Sequence, residues 1–163
     1  MIFVTLGTQA SDFSRCMKMV EGLVTETNIK DKIVAQTGYT SYHPVCVECF
    51  DFVTEDKYQK LVEQADLVIS HAGTGALFSS IKKGKKVIAV ARLAKYGEMV
   101  NNHQTEIVCK LAKEGYILDG TYDIKAAWEK LAEFKPRKID FQCEIADRIG
   151  QLLTEWGISQ KKQ

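Results

Sequence analysis

Leu67-Val68-Ile69-Ser70-His71-Ala72-Gly73-Thr74-Gly75-Ala76 sets a short apolar run directly ahead of two glycines and a threonine. A run this brief and this apolar fits a strand buried on both faces. The residues after it read as a helix through about Lys82, stopped by Gly84. The rest of the chain repeats the same parts. Ile2-Phe3-Val4-Thr5-Leu6 is a second buried strand, closed by Gly7, and Phe13, Cys16, Met17, Val20, Leu23 and Val24 keep helical spacing from about Asp12 to Thr27. Lys32–Gln36 and Val45–Phe50 predict two more strands. Thr54 caps a helix with Glu55 and Asp56 in its first turn, where the dipole favours acids, and with Leu61, Val62 and Ala65 as its buried stripe.

Val87–Ala91 is a further buried strand, and a polar loop runs from it to about Asn101. A helix over Asn102–Glu114, a short strand at Tyr116–Leu118 and a helix over Asp123–Phe134 follow. Phe141, Ile145, Ile149, Leu152, Leu153 and Trp156 place one apolar stripe on a closing helix, suited to packing on the sheet or to docking a partner. Strands separated by helices of this length imply βαβ units. The expected fold is α/β: a Rossmann-like parallel sheet with helices on both faces, one domain over residues 1–158 and a polar tail over 159–163. Ligands of such folds sit outside the carboxyl ends of the strands. Gly7–Gln9, His71–Ala76 and Arg92–Gln104 are therefore the stretches to inspect.

The chain has 163 residues, 45% of them apolar and 26% charged, an ordinary composition for a globular protein. A domain of this size buries roughly 68–70% of its unfolded surface and needs no disulfide or metal staple. Its 22 basic and 21 acidic residues leave a net charge of +1, which argues against a nucleic-acid binder. The apolar runs fall far short of the ~18 residues of a membrane span, and strand-like residues start at Ile2 where a leader would be. A cytoplasmic location is expected. Five scattered cysteines include one CxxC, Cys46 and Cys49, without a second pair or a spaced histidine for zinc. Both are expected in a strand, on opposite faces, as reduced thiols.

Gly7 after the first strand lets backbone approach a ligand, with Thr8 and Gln9 adding a hydroxyl and an amide; a plain turn is equally compatible. The turn after Ser70 carries more information. Gly73, Thr74 and Gly75 leave several N–H groups pointing outward at a helix start, a site suited to phosphate or diphosphate. The third glycine of a dinucleotide fingerprint is missing, and no GxxxxGK precedes a serine or threonine. Glu98, Asn101, Asn102, His103 and Gln104 form a polar set able to grip a sugar by carboxylate–diol and amide–hydroxyl bonds, or simply to cap a helix. No nucleophile motif appears, and His43, His71 and His103 have no metal-ligand spacing. Lys82-Lys83-Gly84-Lys85-Lys86 reads as a solvated helix end, or as a patch for anionic lipid.

Phe3–Gln9, Ile69–Gly75 and Gly97-Glu98 with Asn102-His103-Gln104, in this order, resemble the glycosyltransferase family 28 C-terminal domain. In particular they are similar to the single-domain subunits of two-chain bacterial exopolysaccharide and capsular galactosyltransferases, and to the catalytic subunit of the dolichol-linked N-acetylglucosamine transferase. The resemblance covers about residues 1–120 and implies the donor half of a GT-B enzyme, binding a UDP-sugar with no metal and no cofactor. It implies that Gly7, Thr8 and Gln9 lie by the diphosphate and that His71, Gly73, Thr74 and Gly75 surround the phosphates and sugar. Glu98 would hold the ribose or a sugar hydroxyl, and Asn102, His103 and Gln104 the hexose, although Asn101-Asn102 stands where relatives often carry an acid.

The implied reaction is inverting transfer of galactose or N-acetylglucosamine to a polyprenyl-diphosphate-linked saccharide. A membrane-anchored acceptor-domain subunit is the implied partner and the source of the general base, with homo-oligomers when the chain is isolated. A non-catalytic nucleotide-binding module is the alternative, and a Rossmann oxidoreductase a weaker third.

Overall fold

The computed structural model describes residues 1–138. The expected closing helix from Phe141 to Trp156, the tail and Cys143 lie outside the described residues. Among the described residues six strands and five α-helices follow in the order β1 (Ile2–Thr5), α1 (Ser14–Thr27), β2 (Ile33–Gln36), β3 (Glu48–Phe50), α2 (Glu55–Gln64), β4 (Leu67–Ser70), α3 (Thr74–Lys82), β5 (Lys86–Ala89), α4 (His103–Lys113), β6 (Leu118–Asp119) and α5 (Ile124–Glu129). They form one sheet in the order β3-β2-β1-β4-β5-β6, with every pairing parallel. The chain winds outward from β1 to β3, returns to the middle at β4 and winds outward the other way. β1 and β4 are thus neighbours at the topological switch point, where the loops above the strands diverge and leave a crevice.

Side-chain alternation divides the core into two layers. Ile2, Val4, Leu6, Ile69 and Ile88 pack with Phe13, Cys16, Met17, Val20 and Leu23 of α1 and its approach, and with Ile124 and Ala127 of α5. Phe3, Val68, Val87 and Ala89 face the other way, against Val62 of α2, Leu77 and Ile81 of α3, and Val108 and Leu111 of α4. β1 and β4 are buried along their whole length, as helices on both faces require.

Several boundaries differ from the sequence reading. α1 starts at Ser14, because the Asp12 carboxylate accepts the Ser14 N–H at 2.9 Å and also the Ser41 N–H at 2.9 Å, spending itself on joining two loops. The third strand is only Glu48–Phe50. The Pro44 carbonyl accepts the Val47 N–H at 3.1 Å, so Val45 and Cys46 form an exposed turn and the CxxC does not lie within a strand. Strand pairing beyond β5 shifts to Leu118–Asp119, and α5 ends at Glu129. Cys16 is fully buried, and burial pushes its thiol up to about 12. The lysine run is partly tied down: Lys83 pairs with Glu63, Lys85 reaches the Glu63 carbonyl, and Lys86 donates to the Leu131 carbonyl at 2.7 Å.

Phe13 stands where these layers meet the loops, wholly buried and with the Arg92 guanidinium 4.4 Å above its ring centroid. Phe13→Ala should destabilise the fold by about 3–5 kcal/mol, since it opens a cavity and removes the aromatic face beneath the Arg92 guanidinium. Urea unfolding followed by circular dichroism reads that loss; a change within about 1 kcal/mol contradicts this packing.

Candidate functional site

Thr5 ends β1 and its carbonyl accepts two hydrogen bonds from one residue of the next strand's turn. The His71 backbone N–H reaches it at 3.0 Å and the His71 ring Nδ1 at 3.1 Å. The imidazole is thereby laid across the gap between the turns after β1 and β4. A Cβ added to Gly7 would come within 2.5 Å of Nε2, and one added to Gly73 within 2.2 Å. Gly7 also has φ of 76°, in the left-handed region, whereas Gly73 at −66° is a glycine for lack of space alone. Between them Ala72 is held at φ 65°, a strained conformation for a residue with a Cβ and a mark of functional turns.

The turn after β4 delivers α3. The first backbone bond there runs from Leu77 N–H to Gly73 O at 3.0 Å, so the N–H groups of Thr74, Gly75 and Ala76 are the orphans of a helix start. Gly73 serves as N-cap with no side-chain cap of its own. These donors, at the positive end of the α3 dipole, face an open cleft of about 420 Å³. Gly7, Thr8, His71, Gly73, Thr74, Gly75 and Ala76 line one side. Gln36 of β2, Val53, Glu55, Tyr58 and Gln59 of α2 and its approach, and Ser79 of α3 close the other. Thr5 Oγ1 and Tyr58 OH are buried in this wall without a partner at hydrogen-bonding geometry. Burial holds the His71 ring down to about 4, opposed by its bond to Thr5 and assisted by the nearby Arg92 cation. The ring is therefore neutral near pH 7.

Six sequence-predicted residues are thus brought together: Gly7, Thr8, His71, Gly73, Thr74 and Gly75. The others are not part of this cleft. Gln9 is exposed, and its carbonyl accepts the Ser11 N–H. Glu98 differs most from expectation. Its side chain is buried, held by Arg15 Nε at 2.9 Å and Nη2 at 3.0 Å, and it accepts the Leu93 N–H at 2.8 Å. This is not the open carboxylate that a diol would need. Gln104 is buried too, its Oε1 accepting the Arg92 N–H at 3.0 Å, and Asn102 Oδ1 accepts the Ala94 N–H at 3.0 Å. The His103 side chain has no such scaffold role and lies exposed beside Glu106.

The residues that occupy Glu98 and Gln104 include two arginines the sequence reading missed. Arg92 is fully buried and donates to the carbonyls of Leu6, Ser11 and Asp12 and to the Ser11 hydroxyl at 2.8–3.2 Å. Arg15 adds the carbonyls of Ala91 at 2.6 Å and Thr121 at 2.8 Å. Together they tie the loops after β1, β5 and β6 into one block. The available signal was Arg92 itself, a long cation directly after the buried run Val87–Ala91.

The sequence model of the glycosyltransferase family 28 C-terminal domain matches residues 1–139. The chain belongs to this family. It is 30% identical over 123 residues to the human UDP-N-acetylglucosamine transferase subunit ALG13, covering 71% of this chain and 10% of that protein. It is 28% identical over 120 residues to a Streptococcus pneumoniae N-acetylglucosamine transferase acting on N-acetylmuramyl-(pentapeptide) pyrophosphoryl-undecaprenol, covering 69% of this chain and 32% of that one. The chain thus spans about a tenth of the human relative's length. Its fold matches the solution structure of ALG13 with a TM-score of 0.60 at 20% identity, over 89% of this chain and 92% of that one. The crystal structure of the kitacinnamycin glycosyltransferase matches with a TM-score of 0.57 at 17% identity, over 80% of this chain and 34% of that one. The sheet is that of the C-terminal half of a GT-B glycosyltransferase, as the motifs implied.

Gly73→Ala should cost about 1–3 kcal/mol by driving a methyl group into the imidazole, and His71→Ala in the same chain should recover most of it. Additive losses in a denaturant double-mutant cycle would show that ring and glycine are not in contact. Glu98→Ala should lower stability by about 3–5 kcal/mol, because it strands the half-buried Arg15 cation. A thermal melt like the parent's would contradict the structural role given to that carboxylate.

Proposed function

We propose that this domain is the donor-binding subunit of an inverting glycosyltransferase that moves a hexose from a UDP-sugar to a polyprenyl-diphosphate-linked saccharide. The observation that carries the reading is the cleft at the β1–β4 switch point. There the orphan amides of Thr74, Gly75 and Ala76 line the same cleft as Gly7 and Thr8, with the helix dipole behind them. A diphosphate matches donors of this kind, and a UDP leaving group gains negative charge as the glycosidic bond breaks. Fixed amides facing that charge supply electrostatic catalysis without a metal. Among the described residues no group of three or more histidine, cysteine or acidic side chains is arranged to hold a metal ion.

The names of the relatives support the finer parts. ALG13 proteins are called subunits of a UDP-N-acetylglucosamine transferase, which fits a donor half completed by a second chain. The pneumococcal relative's name specifies a pyrophosphoryl-undecaprenol acceptor, the chemistry expected of the acceptor here. N-acetylglucosamine is the favoured sugar, with galactose the other candidate. Exopolysaccharide or capsule assembly is the proposed setting. The general base is assigned to a membrane-anchored acceptor-binding partner. Among the described residues no helix is long and apolar enough to cross a membrane.

Calorimetric titration should show saturable binding of UDP and of UDP-N-acetylglucosamine or UDP-galactose, and no binding of NAD. A transfer assay on a lipid-diphosphate acceptor should need membranes carrying the partner. Donor binding with no transfer in the presence of the partner would favour a non-catalytic nucleotide module. Failure to bind any uridine nucleotide would overturn the proposal.

A further inference from the structure

We propose that the chain takes up one proton when it binds its sugar nucleotide, and that this proton settles on Nε2 of His71 and converts an acceptor into a charged donor facing the diphosphate. The inference rests on the donor-binding function proposed above. A carbonyl oxygen only accepts, so the bond from the His71 ring to Thr5 O fixes the hydrogen on Nδ1. In the neutral ring Nε2 then offers a lone pair and nothing else.

That atom sits where ligand and protein meet. It is wedged against the backbone of Gly7 and Gly73, in the wall of the cleft that also presents Thr8, Thr74, Gly75 and Ala76. Among the described residues no protein group bonds it. The oxygens of a diphosphate are acceptors as well, so a neutral Nε2 would set one lone pair against another. The neighbouring Thr74, Gly75 and Ala76 offer free backbone N–H groups and the Thr8 hydroxyl can turn to donate, whereas a neutral Nε2 can only accept.

The charged and titratable groups around the ring explain why the proton is absent before binding. Burial of the ring is the main cause, and the nearby Arg92 cation adds to it. Glu55 and Tyr58 approach from α2 across the cleft, while the turns after β1 and β4 contribute only amides and hydroxyls. A bound diphosphate reverses the local field, because an anion within a few ångströms favours the imidazolium. The protonated ring then donates a charge-assisted hydrogen bond to the phosphate, and this bond strengthens as charge grows on the departing nucleotide. No proton has to cross to the leaving group: its oxygen keeps the electron pair of the broken C–O bond, and His71 keeps its hydrogen until UDP leaves.

The sign of the pH dependence follows. The complex holds one proton more than the free protein, whose His71 titrates at about 4. Affinity for the donor therefore rises as pH falls through the value of the bound imidazole. It falls about tenfold per unit as pH climbs through the window where uptake is complete.

The test is calorimetry with UDP-N-acetylglucosamine and UDP-galactose at about pH 6, near the intrinsic range of histidine, in MES and in Bis-Tris, two buffers with different heats of ionisation. The buffer dependence of the enthalpy should give an uptake approaching one proton per donor bound. His71→Asn keeps an N–H for Thr5 and lacks Nε2; it should bind more weakly, with no proton uptake and an affinity flat with pH. Binding with equal heats in both buffers overturns this inference and leaves the donor-binding function standing, the ring then accepting a sugar hydroxyl. No binding of either sugar nucleotide overturns the function and the inference with it. Should His71→Asn fail to fold, the ring ¹⁵N resonances of the parent chain decide. Nε2 must move from the lone-pair range to the N–H range on adding donor, and an unmoved resonance overturns the proposal.

Discussion

The structure depends on an imidazole ring lying between two glycines. His71 joins the ends of β1 and β4 through one carbonyl, that of Thr5, which receives both its main-chain and its ring N–H. Because the ring fills the space that side chains at residues 7 and 73 would occupy, neither position tolerates one. Two turns that would otherwise move independently become one surface of fixed spacing. Preorganisation of that kind lets backbone amides act on a developing charge without first being rearranged.

A second constraint works from behind. Arg92 and Arg15 are cations held inside the fold chiefly by carbonyl oxygens, with Glu98 as the carboxylate that balances them. Burying charge is costly unless every polar atom finds a partner. Here the partners are the loops themselves: the Leu6 carbonyl just before Gly7, the Ser11–Asp12 segment, Ala91 and Thr121. Only Arg92 Nε is left without a bond. The arginines are positioning residues for the β1 turn, one layer removed from the cleft, and that is why Glu98 and Gln104 serve the scaffold.

The fold was legible because its strands are short, apolar and punctuated. The runs Ile2–Thr5 and Leu67–Ser70 need no tertiary information to be read as buried strands, and the helices between them force parallel pairing. Glycines at 7, 73 and 75 mark the turns at the mouth of the sheet for the same reason. The loop after β5 was not legible, since a carboxylate that holds a sugar and one that holds an arginine look alike in sequence. Glu98 meets Arg15 across 83 residues, and no local pattern encodes such a contact. The far wall of the cleft escaped for a related cause. Gln36, Tyr58, Gln59 and Ser79 lie on elements whose own patterns report helix or strand, and they converge only after the sheet is assembled. At the third strand the sequence misled outright, because the turn opened by Pro44 takes Cys46 out of an apparently continuous run.

The central claim is that the turns after β1 and β4 are where a nucleotide diphosphate is held. Its most direct test is a titration of the ¹⁵N-labelled chain with a UDP-sugar, reading the backbone amide resonances. The account requires the largest shifts at Gly7, Thr8, Thr74, Gly75 and Ala76, the residues of these two turns that line the cleft. Saturable shifts confined to Asn102–Gln104 or to the outer faces of the helices, with these five amides unmoved, would contradict it.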